Sequence, residues 1–256
     1  MSGGTRDDAS PSANAPGAQA SLARPGGLGL GFRALVCGAS GAIGAAFVTH
    51  LEADEACAGV TGLSRSGTPP LDLTAQASIA TCAQALADHA PFHLIIDATG
   101  MLHDGDVQPE KALRAIDPDH MARSFAVNAT GPALLLKHFA ALLPRDEPCV
   151  FAKLSARVGS IGDNRLGGWY AYRASKAALN MLLKAASIEL ARTHRQSTVL
   201  ALHPGTVVSA LSDPFAGTRE RMTPHEAAGK MLRVIGSATP ADTGSFRAYD
   251  GTTIPW

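Results

Sequence analysis

The 256-residue sequence predicts an α/β fold: one open, doubly wound, mostly parallel sheet of about seven strands with helices on both faces. Three observations predict it. From Phe32 onward, short β-branched and aliphatic runs alternate with longer Ala- and Leu-rich stretches at helical spacing, as strands joined by crossover helices do. A glycine cluster, Gly38, Gly41 and Gly44, separates the first apolar run from the first helical stretch. No internal repeat or second pattern interrupts the alternation, so residues 32–256 read as one domain.

Residues 1–31 are rich in Gly, Ala, Ser and Pro and lack a continuous apolar stretch; they bury too little to offset the cost of ordering and are read as a disordered tail. Asp7 and Asp8 stand where a secretory signal would be basic and then apolar. The strand runs are RALVCG from Arg33, GVTGLS from Gly59, a short LDL from Leu71, HLIIDATG from His93, CVFAKLS from Cys149, TVLALHPG from Thr198 and SFRAYD from Ser245. Helices are expected over residues 42–53, 74–89, 117–142, 169–192 and 224–235. The last opens with Thr223 as N-cap and Pro224 at the first helical position, where a missing N–H costs nothing. Residues 179–190, LNMLLKAASIEL, are apolar round most of the helix, as expected for one covered on two sides. The sheet is one cover. A partner subunit, in a homodimer or homotetramer, is the expected other, although the chain's own residues would leave the same pattern.

Lys and Arg number 22, as do Asp and Glu, with no long basic run, which argues against a nucleic-acid or anionic membrane surface. No stretch reaches the ~18 apolar residues of a membrane span. Cys37, Cys57, Cys82 and Cys149 are widely spaced without a C-x-x-C pair and read as thiols of a reduced, cytoplasmic protein. Together with the nine histidines they form no ligand constellation, so no metal is expected.

In LVCGASGAIGAAF, glycine permits the tight turn and lets backbone N–H groups approach a pyrophosphate; the following helix N-terminus adds partial positive charge. Between a strand and a helix this is expected to be a Rossmann-type dinucleotide site, with a merely structural turn as the alternative. The second strand ends in GLSRSG, with Ser64, Arg65 and Ser66 where an acid would hold ribose hydroxyls. An arginine there can pair with a 2′-phosphate, so NADP(H) is expected over NAD(H), with a solvated surface arginine as the alternative. Asp72 stands where it would hold the adenine edge or cap a helix.

In YAYRASK, Tyr172 and Lys176 are four apart and share a helix face. A free tyrosine titrates near 10; lowering it about three units takes roughly 4 kcal/mol. An ammonium about 4 Å away supplies that much at an effective dielectric of ~20. The expectation is a phenol acidified for general acid/base work, with the same lysine able to hold the nicotinamide ribose.

The glycine turn, Tyr-x-x-x-Lys and HPGTV together resemble the short-chain dehydrogenase/reductase family over nearly all of residues 32–256. SARVGSIGDNRLGGWYAYRASKAALN and DGTTIPW are most similar to the branch that includes bacterial C-factor signalling proteins and sniffer-type carbonyl reductases. The resemblance implies an oxidoreductase that moves hydride between NADP(H) and a small carbonyl or alcohol, with Asn128, Ser155, Tyr172 and Lys176 as catalytic residues. Its cofactor contacts map to Gly38, Ser40, Ile43 and Gly44 in the phosphate turn, and to Arg65, Asp72 and Leu73 at the adenosine end. Ala98, Gly100, Tyr172, Lys176, Pro204, Gly205 and Val207 map to the nicotinamide side. Asn128 corresponds to the asparagine whose helix backbone holds a proton-relay water. A C-factor-type signalling or sensor protein that binds NADP(H) with little turnover is the alternative.

The chain departs from the family pattern in several places. Ala42 replaces a usual glycine and Gly41 comes one residue early; DATG stands for Asn-Asn-Ala-Gly. The serine doublet whose second member orients the substrate reads Ser155-Ala156. Ser155 is expected to take that role; Ser160, or no donor at all, are the alternatives, and a missing donor costs about 10²–10³ in turnover. SIGDNRLGGW is read as a pocket wall with Asp163, Asn164, Arg165 and Trp169 near its mouth. SALSDPFAGTRERM, after Val208, is read as a loop over the substrate, and an ordinary surface loop is the alternative for both segments.

Overall fold

The computed structural model describes residues 27–103, 108–215 and 220–256. Its strands are β1 (Phe32–Cys37), β2 (Cys57–Leu63), β3 (Leu94–Asp97), β4 (Cys149–Leu154), β5 (Ser197–His203) and β6 (Ser245–Ala248). They form a 6-stranded sheet in the order β2-β1-β3-β4-β5-β6. Every neighbouring pair is parallel. The helices are α1 (Ala42–Glu52), α2 (Gln76–Ala85), α3 (Pro118–Phe125), α4 (Gly131–Phe139), α5 (Tyr170–Thr193) and α6 (Pro224–Ser237).

Strand side chains alternate between two apolar layers. Leu35, Ile95, Phe151 and Val199 pack with Ile79, Phe139 and Leu183 of α2, α4 and α5. Val36, Ile96, Ala152 and Leu200 pack with Phe47, Met231 and Ile235 of α1 and α6. Because both faces are covered, β3 and β4 are buried along their whole length, which explains why their runs are apolar except for Asp97 and Lys153.

The seventh strand expected at LDL does not form. The Asp72 carboxylate instead accepts the Thr74 N–H at 2.8 Å and its hydroxyl at 2.7 Å, closing a turn. Pro69 and Pro70, just before, have no N–H to give a ladder. β2 is therefore the edge of the sheet, and most of its residues are at least partly exposed.

The helix expected over 117–142 is also interrupted. Asp117 caps α3 by accepting the His120 N–H at 2.7 Å. A π turn, Ala126–Thr130, then separates α3 from α4. Pro132 has no N–H to donate to the Asn128 carbonyl four residues back, so the ladder breaks there. At the end of α2 the expected helix tightens into the 3-10 turn Ala87–His89. Thr223 caps α6 as expected, in a reciprocal pair with Glu226.

Most of the predicted disordered tail lies outside the described residues. Its last part is packed: Leu28 is buried, and the Gly31 N–H donates to Ala56 O at 2.8 Å. The folded region thus begins before Phe32. All four cysteines are free, with only Cys57 partly exposed. Among the described residues no helix is long and apolar enough to cross a membrane.

Candidate active site

At the C-terminal edge of the sheet, Gly38 turns the chain out of β1 with φ +81°, a left-handed backbone that suits glycine. Gly44, one turn into α1, lies so close to this turn that a Cβ would sit 2.1 Å from the Gly38 oxygen. No other residue fits there without moving the helix. Ala42, the departure from the family pattern, is the first residue of α1 and lies past the turn.

A cleft of about 520 Å³ opens above this turn. It brings together Gly38, Ser40, Arg65, Asp72, Leu73, Ala98 and Gly100. Ile43 packs instead against the apolar layer beneath α1. Asp72 shares its carboxylate with the Thr74 turn, and those hydrogen bonds hold its pKa below the ordinary value. Pro204, Gly205 and Val207 follow β5 along the same edge. At Gly205, with φ +79°, a Cβ would meet Met222 Cε at 2.5 Å and the Tyr249 ring at 2.8 Å.

Tyr172 and Lys176 lie one turn apart on α5, both buried. Lys176 Nζ is 5.7 Å from the tyrosine ring centroid and donates to Leu154 O at 3.3 Å. The expected acidification is not produced by these groups alone. Burial pushes the Tyr172 phenol well above its ordinary value. Burial first, and then the nearby Lys153 cation, bring Lys176 down to about 7. The sequence estimate placed an ammonium near the phenol but omitted the cost of burying both charges.

Asn128 lies in the π turn, fully buried. Its Oδ1 accepts the Met101 N–H at 2.8 Å, and its Nδ2 donates to Met101 O at 2.7 Å and Ser175 Oγ at 3.3 Å. Its side chain therefore fixes the strand-to-helix passage just beyond Gly100. Ser155 is buried beside α5 and donates its hydroxyl to Asn180 Oδ1 at 2.6 Å. Ser160 donates to Pro255 O at 2.5 Å. Each hydroxyl has one proton to give, and both are committed within the protein. Ala156 offers none.

Beneath the cleft, Lys153 Nζ meets Asp97 Oδ1 at 3.0 Å, both side chains 0 % exposed. The ammonium also donates to Thr99 O at 2.6 Å and Thr99 Oγ1 at 3.1 Å. It therefore clamps the Ala98 to Gly100 turn from below. Sequence reasoning missed this pair and the buried Glu110, whose carboxylate accepts the Ala171 N–H at 3.2 Å at the start of α5. A lone lysine inside the apolar run CVFAKL was a readable sign that a buried acid must lie on a neighbouring strand. Glu110 gave no such sign, because the Ala171 N–H that its carboxylate accepts lies about sixty residues away.

A family model described as enoyl-(acyl carrier protein) reductase matches residues 33–249. The chain is 32% identical over 204 residues to 1-hydroxy-2-glutathionyl-2-methyl-3-butene dehydrogenase of Rhodococcus sp., covering 80% of this chain and 84% of that one. It is 40% identical over 148 residues to C-signal of Myxococcus xanthus, covering 57% of this chain and 84% of that one. Its structure is similar to an NADPH-bound carbonyl reductase from chicken fatty liver, with a TM-score of 0.75 and 25% identity over 89% of this chain and 100% of that one.

Proposed function

The chain belongs to the short-chain dehydrogenase/reductase family, and from that premise we propose that it is an NADP(H)-dependent oxidoreductase acting on a small carbonyl or alcohol. One observation carries the reading: a buried Tyr172–Lys176 pair stands at the same sheet edge as a glycine-lined cleft that includes Arg65. The glycine cradle, which a Cβ at Gly44 would fill, fits a pyrophosphate. Arg65 with Ser64 makes a donor set for a 2′-phosphate. The bound nicotinamide would exchange hydride with the substrate carbon.

The chain supplies proton transfer and positioning. Tyr172, kept protonated by burial, donates its proton to the alkoxide as it forms. Oxidation of an alcohol would require the tyrosinate, which burial opposes; the Lys176 ammonium is the chain's own cation for offsetting that cost. Asn128 holds the Met101 segment, and its carbonyl, without a partner N–H on Pro132, suits a relay water. With the Ser155 proton held by Asn180, we assign the substrate oxygen to the Tyr172 hydroxyl and treat Ser155 as a tie between β4 and α5.

We also propose that a second copy of the chain covers the α4–α5 face. A groove of about 410 Å³ runs between these helices, and Met181, Leu182 and Ile188 of α5 are exposed beside it. The four free thiols fit a reducing compartment.

A second reading, an NADP(H)-binding signalling protein with little turnover, is favoured by Ala156 and by the likeness to C-signal. The test is NADPH consumption with a panel of aldehydes and ketones, repeated with Tyr172→Phe. Turnover lost in the variant supports the proposal; turnover that survives sinks the mechanism. NADPH binding without any consumption favours the second reading.

A further inference from the structure

Gly167, Gly168 and Trp169 lead into α5 through three successive left-handed residues, with φ of 62°, 65° and 51°. Glycine takes this conformation freely, whereas a tryptophan takes it against its own Cβ. Trp169 is the one non-glycine residue with positive φ among the described residues. Its surroundings hold it there. The Trp169 N–H donates to Glu110 O at 2.5 Å, and the buried Glu110 carboxylate accepts the Ala171 N–H and lies 3.2 Å from His120 Nδ1. Arg173 reaches back from α5, its Nε donating to Gly167 O at 3.1 Å and Gly168 O at 3.0 Å.

A strained backbone fixed this firmly is characteristic of functional sites, and here it sets the position of a ring. The half-buried indole meets the Tyr172 ring edge-on, with centroids 6.2 Å apart at 66°. It meets the Phe215 ring the same way at 5.3 Å. His103, which lines the cleft, lies 5.8 Å from Phe215. The tyrosine that carries the reactive hydroxyl therefore adjoins a wall of flat side chains, and a group attached to the reacting carbon beside that hydroxyl would lie against it.

We propose that Trp169 is the specificity-determining residue of this site, held by its left-handed turn so that the indole receives a flat unsaturated group bonded to the carbonyl carbon. The preferred substrates are then aromatic or conjugated aldehydes and ketones rather than saturated ones of equal size. This rests on the reading of Tyr172 as proton donor, and the experiment separates the two.

The full-length chain is assayed with NADPH and a matched pair, benzaldehyde and cyclohexanecarbaldehyde. The wild type prefers benzaldehyde by about tenfold in kcat/KM, the scale of one favourable aromatic contact. Trp169→Gly, which suits the left-handed backbone, brings the ratio near unity with NADPH affinity unchanged; Trp169→Phe restores most of it. A ratio that stays put in folded Trp169→Gly overturns the proposal. A binding measurement covers failure of turnover: in Trp256→Phe, which leaves Trp169 as the single tryptophan, benzyl alcohol quenches indole fluorescence in the presence of NADP and cyclohexylmethanol does not. Quenching without turnover removes the reading of the reaction and keeps that of the site. Equal responses to the two alcohols remove the proposal itself.

Discussion

Lys153 and Asp97 face each other across adjacent strands in the middle of the sheet, 3.0 Å apart and out of contact with solvent. Removing one partner leaves the other as an uncompensated buried charge. Lys153→Met should therefore cost about 3–5 kcal/mol of stability, while Lys153→Met with Asp97→Asn should recover most of it. Urea unfolding of both proteins checks this; a double variant as unstable as the single one would mean that the loss comes from packing.

Lys176 has a pKa of about 7 in the folded chain, against 10.5 for an ordinary lysine. Between those values the unfolded chain binds one more proton than the folded one, so this group makes stability rise with pH across that window. The penalty is present in full below about 7. Lys176→Met should be the more stable protein at pH 6 and lose its advantage by pH 10, as followed by thermal unfolding across that range.

On the family resemblance, Ala156 is expected to stand where a hydroxyl would orient the substrate oxygen. Ala156→Ser should raise kcat by about 10- to 100-fold, most of what losing such a donor removes elsewhere. Ser155→Ala should instead act through stability, because its hydroxyl is bonded to Asn180. Steady-state rates beside melting curves distinguish these outcomes, and a kcat collapse in a stable Ser155→Ala would return the donor role to Ser155.

Arg65 borders the cleft with Ser64 and Asp72. Arg65→Ala should weaken NADPH by about 10- to 100-fold, the scale of charge-assisted hydrogen bonds, and leave NADH nearly unchanged. Calorimetric titration with each cofactor gives the two values; equal losses would argue against a 2′-phosphate contact.

Leu182→Glu on the exposed side of α5 should lower the oligomeric state without changing the monomer's fold. Sedimentation velocity reads the mass directly, and an unchanged mass would place any subunit contact elsewhere.

The alternation of apolar runs made the layered sheet legible, because strands covered on both faces are apolar nearly throughout, Lys153 being paired with Asp97 on the next strand. The glycine turn and the Tyr172–Lys176 spacing were legible for a related reason: each is local, set by residues within one turn of one another. LDL was misread as a strand because three residues carry no register of their own, and the competing Asp72–Thr74 hydrogen bonds decide the matter. The break at Asn128 was missed although Pro132 announces it. The electrostatics of Tyr172 and Lys176 depend on burial by elements far away in the chain, which helical spacing alone does not report.

With β2 at the margin, Ser64 and Arg65, proposed above to read the 2′-phosphate, stand on the border of the sheet rather than in its buried interior. On that proposal, exchanging the exposed Arg65 and Ser66 should convert the cofactor preference while the melting temperature stays where it was.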